Sequence, residues 1–164
     1  AQVEVPIEEQ DDTGTMFDKL SQAGAHLLLE ILPDLLAGRI QATPQNDAEA
    51  TLAPNIRREE ERIDWNRPAM DVFNHIRGLS PWPVACTSFR GENFKIWAAK
   101  PGGPLPTGEA RPGTIVGATE AGVEVACQDG TVLLTKVQPA GKKTMTAGEF
   151  VRGVPDLAGM VLGS

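Results

Sequence analysis

Residues 138–146, with the sequence Gln-Pro-Ala-Gly-Lys-Lys-Thr-Met-Thr, place Lys142 and Lys143 side by side on a Pro/Gly turn after an apolar strand. The flanking strands hold such a turn while it stays open to water, so it suits the display of charge to a partner. Each ammonium group is a point charge with three rotatable donors, which suits phosphate oxygens. The alternative interpretation is a solvated turn, because lysines are common on protein surfaces.

The rest of the sequence contains no recognisable catalytic constellation. Asp11 and Asp12 are adjacent carboxylates on a predicted turn, and no motif gives either of them a partner. His26 and His75 have no Ser or Cys at a catalytic spacing, and we interpret His26, close to the apolar face of a helix, as structural. No Gly-rich loop stands between a strand and a helix in the arrangement that holds phosphates.

The two cysteines, Cys86 and Cys127, each lie in an apolar, strand-like stretch. We therefore predict buried free thiols rather than a disulfide, as expected for a protein of the reducing cytoplasm. Without a Cys/His cluster, a structural zinc site is not expected. No apolar run reaches the length of a membrane span and no signal-peptide pattern is present, so we expect a cytoplasmic protein with no membrane partner.

The charge of the 164-residue chain is distributed unevenly. The net charge is −7, but residues 1–64 carry 5 Lys/Arg against 14 Asp/Glu, whereas residues 65–164 carry 10 against 8. Such a division indicates different partners for the two parts. Because the second part is only slightly basic, any nucleic-acid role must rest on clustering of its cations.

The first part of the chain reads as the end of a larger α/β domain. Residues 2–7 alternate as in a strand, and a helix follows with Thr15 as the predicted N-cap and Asp18 completing a capping box. The helix runs to Gly38, and Pro33 is expected to kink or divide it. One strand and one helix cannot close a core, so residues 1–40 need either an absent sheet or the second part of the chain.

Residues 41–64 form a polar connector with a dense run of charges. Within it, Arg57 and Arg58 could contact a phosphate backbone. The alternative is that they pair with the glutamates at positions 59–61, because mixed charge runs usually form solvated surface.

Residues 65–164 read as a compact domain. Asn66 is the predicted N-cap of a short helix that ends at Pro81-Trp82-Pro83. Strands are predicted at 84–90, 93–99, 113–116, 123–127 and 131–137, followed by a helix at 146–152 capped by Thr146 and Glu149. The first two strands are predicted to form a hairpin around Gly91-Glu92, and the turn signal Asp129-Gly130 joins the last two. The intervening stretch 100–112 is predicted to be a loop. The five strands together with the first helix suggest a small barrel, of which the oligonucleotide-binding (OB) fold is one type.

The three tryptophans, Trp65, Trp82 and Trp97, could stack on bases, but the low aromatic content and the absence of Tyr argue against a stacking platform. We predict instead that they are core or hinge residues, because large aromatic side chains usually contribute burial.

Several segments in order along the chain resemble the methionyl-tRNA formyltransferases. The most specific combination is the Pro-Trp-Pro helix end with Gln-Pro-Ala-Gly-Lys-Lys downstream. The segments that carry the resemblance are Glu4–Ile7, Asp12–Thr15, Asp18–Leu20, Ile63–Trp65, Ile76–Pro83, Lys95–Trp97 and Leu133–Met145.

This resemblance implies an enzyme that moves a formyl group from 10-formyltetrahydrofolate to the methionine of initiator methionyl-tRNA. It implies a mixed α/β chain: residues 1–40 end a Rossmann-like catalytic domain, 41–64 are a linker, and 65–164 form an OB-like tRNA-binding barrel. The catalytic Asn, His and Asp of the family and its folate motif match no residue here. We therefore expect no catalytic residue, metal or cofactor in this chain, inactivity without the N-terminal catalytic domain, and a monomeric full-length enzyme.

By position, the resemblance assigns a tRNA-facing surface to basic residues of the linker and barrel: Arg57, Arg58, Lys142 and Lys143, with Arg90 and Lys95 as further candidates. Two alternatives remain at this point. One is the C-terminal domain of a nucleotide-sugar formyltransferase, whose substrate needs no basic linker. The other is a non-catalytic interaction barrel, which the net negative charge favours.

Overall fold

The computed structural model of the chain describes residues 1–105 and 110–163, and divides into compact units at 1–56 and 57–164. Part of the predicted loop at 100–112 therefore lies outside the described residues. The helices and strands are α1 (Thr13–Leu36), α2 (Ala69–Gly78), β1 (Ala85–Phe89), β2 (Glu92–Pro101), β3 (Ile115–Thr119), β4 (Gly122–Ala126), β5 (Thr131–Pro139), β6 (Met145–Thr146) and α3 (Ala147–Gly153). Short 3-10 helices span Asp47–Glu49 and Arg58–Glu61.

Helix α1 begins earlier than the sequence pattern indicates. Its N-cap is Asp12, whose carboxylate accepts a 2.8 Å hydrogen bond from the backbone N–H of Thr15. The Thr15 hydroxyl in turn accepts from the Asp12 N–H at 3.0 Å, which completes the capping box. The predicted Thr15 cap is therefore wrong, because Thr15 is the third helical residue. Pro33 does not divide the helix, because three more helical residues follow it, and a kink at Pro33 stays a prediction.

The predicted strand at residues 2–7 is not formed. A strand requires a hydrogen-bonded neighbour, and no described residue pairs with this segment. Helix α1 likewise buries no residue. Its large exposed apolar side chains are Phe17, Leu20, Leu28, Leu29, Leu35 and Leu36.

The second unit is built on an antiparallel sheet in the order β1-β2-β5-β4-β3, with β6 paired to β5. The β1–β2 turn lies at Arg90-Gly91, one residue earlier than predicted. Both residues adopt positive φ values, 54° and 79°. This is the backbone geometry of the two-residue turns that suit the twist of a hairpin. The sequence therefore predicted the hairpin correctly and misplaced its turn.

The core of this unit lies between the sheet and helices α2 and α3. Helix α2 begins at Ala69, and the predicted N-cap Asn66 instead donates through its backbone and side chain to Asp64 at 3.0 and 2.9 Å. The predicted helix at 146–152 is confirmed as α3, and Thr146 and Glu149 form its capping box. The largest completely buried apolar side chains are Ile76, Ile96, Ile115, Leu134 and the valines at 72, 123, 125, 132 and 137.

The edge strands β1 and β3 do not pair with each other, so the sheet is not closed by strand pairing. The segment 159–163 lies between them instead. The N–H of Leu162 donates to Gly113 O at 2.8 Å, and that of Gly163 donates to Ser88 O at 2.9 Å. The observed architecture is thus a mixed α/β chain with an antiparallel sheet and few helices.

The three tryptophans have different environments. Trp65 is buried and donates from its indole to the hydroxyl of Thr87 at 3.2 Å. Trp97 is half-buried, whereas Trp82 is 54% exposed. Trp82 is therefore not a core residue, and the hinge role that was the other part of the prediction stays a prediction for it. Both cysteines are free thiols; Cys127 is buried as predicted, and Cys86 is only half-buried.

Candidate nucleic-acid interface

The turn 140–143 between β5 and β6 displays Lys142 and Lys143, both of which are exposed. Gly141 adopts a φ of +68° there, a conformation that glycine takes without strain. The N–H of Lys142 donates to Pro139 O at 3.1 Å, which closes the turn. Within the part of the chain that is described, neither lysine forms an ion pair. Two uncompensated positive charges therefore stand at this end of β5.

Lys95 lies beside this turn because of strand register. It pairs with Gln138 across the β2–β5 ladder and with Cys86 across the β1–β2 ladder. Its neighbours Phe94 and Ile96 are buried, so Lys95 is on the outer face of the sheet.

Gln138, Lys95 and Cys86 form a row of paired residues across β5, β2 and β1, and Arg62 extends this row beyond the edge of β1. It forms a parallel bridge with Cys86, and the N–H of Ile63 donates to Cys86 O at 2.9 Å. At about 4.8 Å per strand spacing, the row from Arg62 through Cys86 and Lys95 to Gln138 crosses about 14 Å of the outer face.

Lys136 completes the group. It is exposed on β5, two residues before Gln138, and pairs with Thr146 of β6. We call Arg62, Lys95, Lys136, Lys142 and Lys143 the basic face. Sequence reasoning missed Arg62 and Lys136. The signal for Lys136 was the alternation along β5, which places it on the same side of the strand as Gln138. Arg62 gave no such signal, because it lies in a run of mixed charges.

The Cys86 thiol lies in the middle of the row, between Arg62 and Lys95, and its surroundings shift its pKa. Burial raises this pKa, and the carboxylate of Glu61 raises it further. Arg62 and Lys95 act in the opposite direction by favouring the thiolate. The basic face thus includes two cations close enough to influence one thiol, with one carboxylate at its margin.

The other candidates differ in how available they are. Arg57 approaches Glu60 to 3.5 Å, and its backbone N–H lowers the pKa of that carboxyl by donating to it. Arg57 thus pairs with a nearby glutamate, as the alternative interpretation describes, and its contact with a phosphate backbone stays a prediction. Arg58 is exposed, with no ion pair among the described residues. Arg90 is exposed but its guanidinium lies 5.1 Å from the centre of the Phe89 ring.

Arg90 and the lysine turn occupy the same end of the sheet. Strand β2 starts directly after the Arg90-Gly91 turn, and Phe94 near its start pairs with Pro139 at the end of β5. The structure thus brings Lys95, Lys142 and Lys143 together, and the β1–β2 turn places Arg90 at the same end of the sheet.

His75, on α2, lies in a partly buried environment. Its Nε2 is buried without a hydrogen-bond partner, beside a cavity of about 40 Å³ lined also by Arg62 and Arg67. Burial lowers the pKa of His75, so the neutral imidazole is favoured there. Over residues 1–105 and 110–163, no group of three or more His, Cys, Asp or Glu residues could hold a metal ion. Nor does any helix in these ranges have the length and apolar character to cross a membrane.

Comparison with known proteins decides the family. The sequence model described as "Formyl transferase, C-terminal domain" matches residues 55–155, which begins within two residues of the second compact unit. The chain belongs to this family. Methionyl-tRNA formyltransferase of Macrococcus caseolyticus is 51% identical over 159 residues, covering 96% of the chain and 50% of the relative. That of Bacillus subtilis is 51% identical over 164 residues, covering 99% of the chain and 51% of the relative.

The chain therefore spans about half the length of the curated relatives it matches. Its predicted resemblance to methionyl-tRNA formyltransferases is confirmed. Among solved structures, a variant of HypX from Aquifex aeolicus matches with a TM-score of 0.64 and 20% identity, covering 92% of the chain and 27% of HypX. At this identity the structural likeness shows the fold alone.

Proposed function

We propose that the chain is part of a methionyl-tRNA formyltransferase. Such an enzyme would transfer a formyl group from 10-formyltetrahydrofolate to the amino group of methionine on initiator tRNA in translation initiation. The observation that carries this proposal is the 51% identity to relatives of that name over almost the whole chain. We assign the formyl donor to the full-length enzyme and not to the residues of this chain.

Within that enzyme, we propose that the basic face docks the tRNA and takes no part in the chemistry. Its exposed members are cations on a rigid sheet and a closed turn, and none of them forms an ion pair within the described residues. Lysine and arginine on such a surface bind phosphate oxygens, which position a nucleic acid without reading its sequence. Selectivity for the initiator tRNA would then reside outside this face. Arg58 and Arg90 would add contacts at its margins, and Arg57 would do so after releasing Glu60.

We further propose the domain arrangement that the family implies: residues 1–40 end a Rossmann-like catalytic domain, 41–64 link it, and 65–164 form an OB-like barrel. The placement of segment 159–163 between the sheet edges supports barrel-like closure. The exposed apolar side chains of α1 support a larger neighbour for that helix. A monomeric, cytoplasmic enzyme without a membrane partner belongs to the same proposal.

The docking proposal is tested by the binding of the purified chain to initiator methionyl-tRNA across a salt series. We expect saturable binding that weakens as salt rises, because phosphate contacts release counterions. An elongator tRNA should bind with similar affinity, since this face contacts the backbone. Failure of a folded chain to bind either tRNA would contradict the proposal and favour an interaction barrel.

The division of labour is tested by incubating the chain with 10-formyltetrahydrofolate and initiator methionyl-tRNA. No formyl-methionine should form above the background rate. Formylation by the chain alone would show that it contains catalytic residues that neither its sequence nor the site geometry reveals.

A further inference from the structure

The side-chain amide of Gln138 connects two parts of the outer face. Its Oε1 accepts a 2.9 Å hydrogen bond from the indole Nε1 of Trp97 on β2. Its Nε2 donates a 3.0 Å hydrogen bond to the backbone carbonyl of Lys142. Both ends of the amide are therefore used, one on the neighbouring strand and the other on the lysine turn.

The orientation of this amide follows from the chemistry of its partners. An indole N–H can only donate and a backbone carbonyl can only accept, so only one of the two amide orientations satisfies both. Strand register also brings Gln138 near Trp97. Gln138 lies opposite Lys95, and Lys95 precedes Trp97 by two residues on β2.

Trp97 is itself held in place. Its carbonyl accepts a 3.1 Å hydrogen bond from the hydroxyl of Ser80 at the end of α2. The β2–β5 register shifts between Ile96 and Ala98, so Trp97 lies at a bulge in the ladder. Bulges redirect side chains, and this one presents the indole to Gln138. The amide is thus anchored through Trp97 to the rigid part of the unit.

We propose that Gln138 is a positioning residue that holds the turn 140–143 in the form that presents Lys142 and Lys143 to tRNA phosphates. This inference rests on the proposed function. Long lysine side chains lose freedom on binding, and a mobile turn would add its own ordering cost to that loss. By fixing the carbonyl of Lys142, the Gln138 amide removes that additional cost before the tRNA arrives.

The decisive substitution is Gln138→Leu, which keeps much of the side-chain volume and removes both hydrogen bonds. A hydrogen bond of ordinary strength contributes on the order of 1 kcal/mol, so we expect binding to initiator methionyl-tRNA to weaken by about three- to tenfold. Gln128→Leu is the matched control, because Gln128 is exposed on the β4–β5 turn and no side-chain hydrogen bond of it is found in the described structure. The control should bind like the unsubstituted chain.

A thermodynamic cycle separates positioning from a direct contact. If Gln138 acts through the lysines, Gln138→Leu should cause no further loss in a chain that already carries Lys142→Ala and Lys143→Ala. An equal loss in both backgrounds would mean that Gln138 contacts the tRNA independently, and the positioning role would be overturned.

A second readout does not involve tRNA. Amide hydrogen exchange at residues 140–143 should be faster in Gln138→Leu and unchanged in Gln128→Leu, with similar unfolding curves for both. If Gln138→Leu does not fold, Trp97→Phe, which keeps an aromatic ring but replaces the indole and its N–H donor, should show the same change in exchange to a smaller extent. Unchanged exchange in the folded variant would refute the inference.

The two proposals fail in different ways. If the double lysine variant binds tRNA as tightly as the unsubstituted chain, docking through this turn is wrong and the role of Gln138 in it falls as well. If the lysines matter and Gln138→Leu has no effect on affinity, only the positioning role is overturned.

Discussion

The carboxylate of Asp129, on the turn between β4 and β5, accepts a 2.7 Å hydrogen bond from the backbone N–H of Ala69, the first residue of α2. The residue in the N-cap position is Pro68, whose side chain makes no capping hydrogen bond. Because the first N–H groups of a helix have no partner within it, a carboxylate 60 positions away in the sequence satisfies one of them. This contact fastens α2 to the turn that joins two central strands.

Replacing Asp129 with Ala should therefore destabilise the second unit by about 1 kcal/mol, the usual cost of losing a capping side chain. Asp129→Asn keeps an acceptor oxygen and should retain most of the stability. Urea denaturation followed by tryptophan fluorescence measures both. Equal stability of Asp129→Ala and the unsubstituted chain would mean that water replaces the carboxylate at no cost.

Gly148, in the first turn of α3, should not tolerate a side chain. A Cβ atom at this position would lie 2.6 Å from the backbone carbonyl oxygen of Glu120, which cannot rotate away. Gly-to-Ala changes inside helices ordinarily stabilise by up to about 1 kcal/mol. Here we expect overpacking to outweigh that gain, for a net loss on the order of 1–2 kcal/mol in the free energy of unfolding.

The same helix supplies the control. A Cβ at Gly153, the last residue of α3, would meet nothing within 4 Å, so Gly153→Ala should be neutral or slightly stabilising. Urea unfolding of the two variants side by side gives the comparison. If both Ala variants are equally stable, α3 moves away from Glu120 more easily than the packing indicates.

The two thiols should differ in reactivity toward iodoacetamide. Burial raises the pKa of the Cys127 thiol to about 12, with Asp129 adding to the rise. A group with that pKa is a thiolate in only about one molecule in ten thousand at pH 8. Cys86 also has a raised pKa but is half-buried, so it should be modified first in the folded chain.

Peptide mass spectrometry after timed labelling measures the two rates. In concentrated urea, where burial is lost, Cys86 and Cys127 should react at similar rates. Equal labelling in the folded chain would contradict the buried position of Cys127.

Removing both lysines of the turn should weaken tRNA binding and reduce its salt dependence. Each lost phosphate contact lowers the slope of log affinity against log salt by roughly 0.7–0.9, so Lys142→Ala with Lys143→Ala should lower it by up to about 1.4–1.8. The measurement is a binding titration with initiator methionyl-tRNA at several salt concentrations.

A control variant with the same change in charge is Lys100→Ala with Arg111→Ala. Both residues are exposed, and both lie toward the opposite end of the sheet, near the end of β2 and before β3. If the two double variants lose the same slope, net charge rather than the position of the basic face governs binding.

Local signals accounted for the parts of the structure that were predicted well. The Asp129-Gly130 turn, the β1–β2 hairpin and the Thr146–Glu149 capping box each depend on residues that are close in sequence. The errors arose where a local signal competed with a better partner. At α1, Thr15 resembles an N-cap, but Asp12 three residues earlier caps the helix and uses the Thr15 hydroxyl in return.

The sequence by itself determined the family, the approximate strands of the second unit and the exposed lysine turn. These depend on residue order, alternation and turn chemistry, all of which act over a few neighbouring residues. Only the tertiary structure decided which cations lie together. Lys95 and Gln138 meet because β2 and β5 pair in one particular register, and Asp129 reaches Ala69 because the β4–β5 turn packs beside α2. Such contacts join residues distant in sequence, and strand register depends on packing of the whole core, so no short segment encodes them.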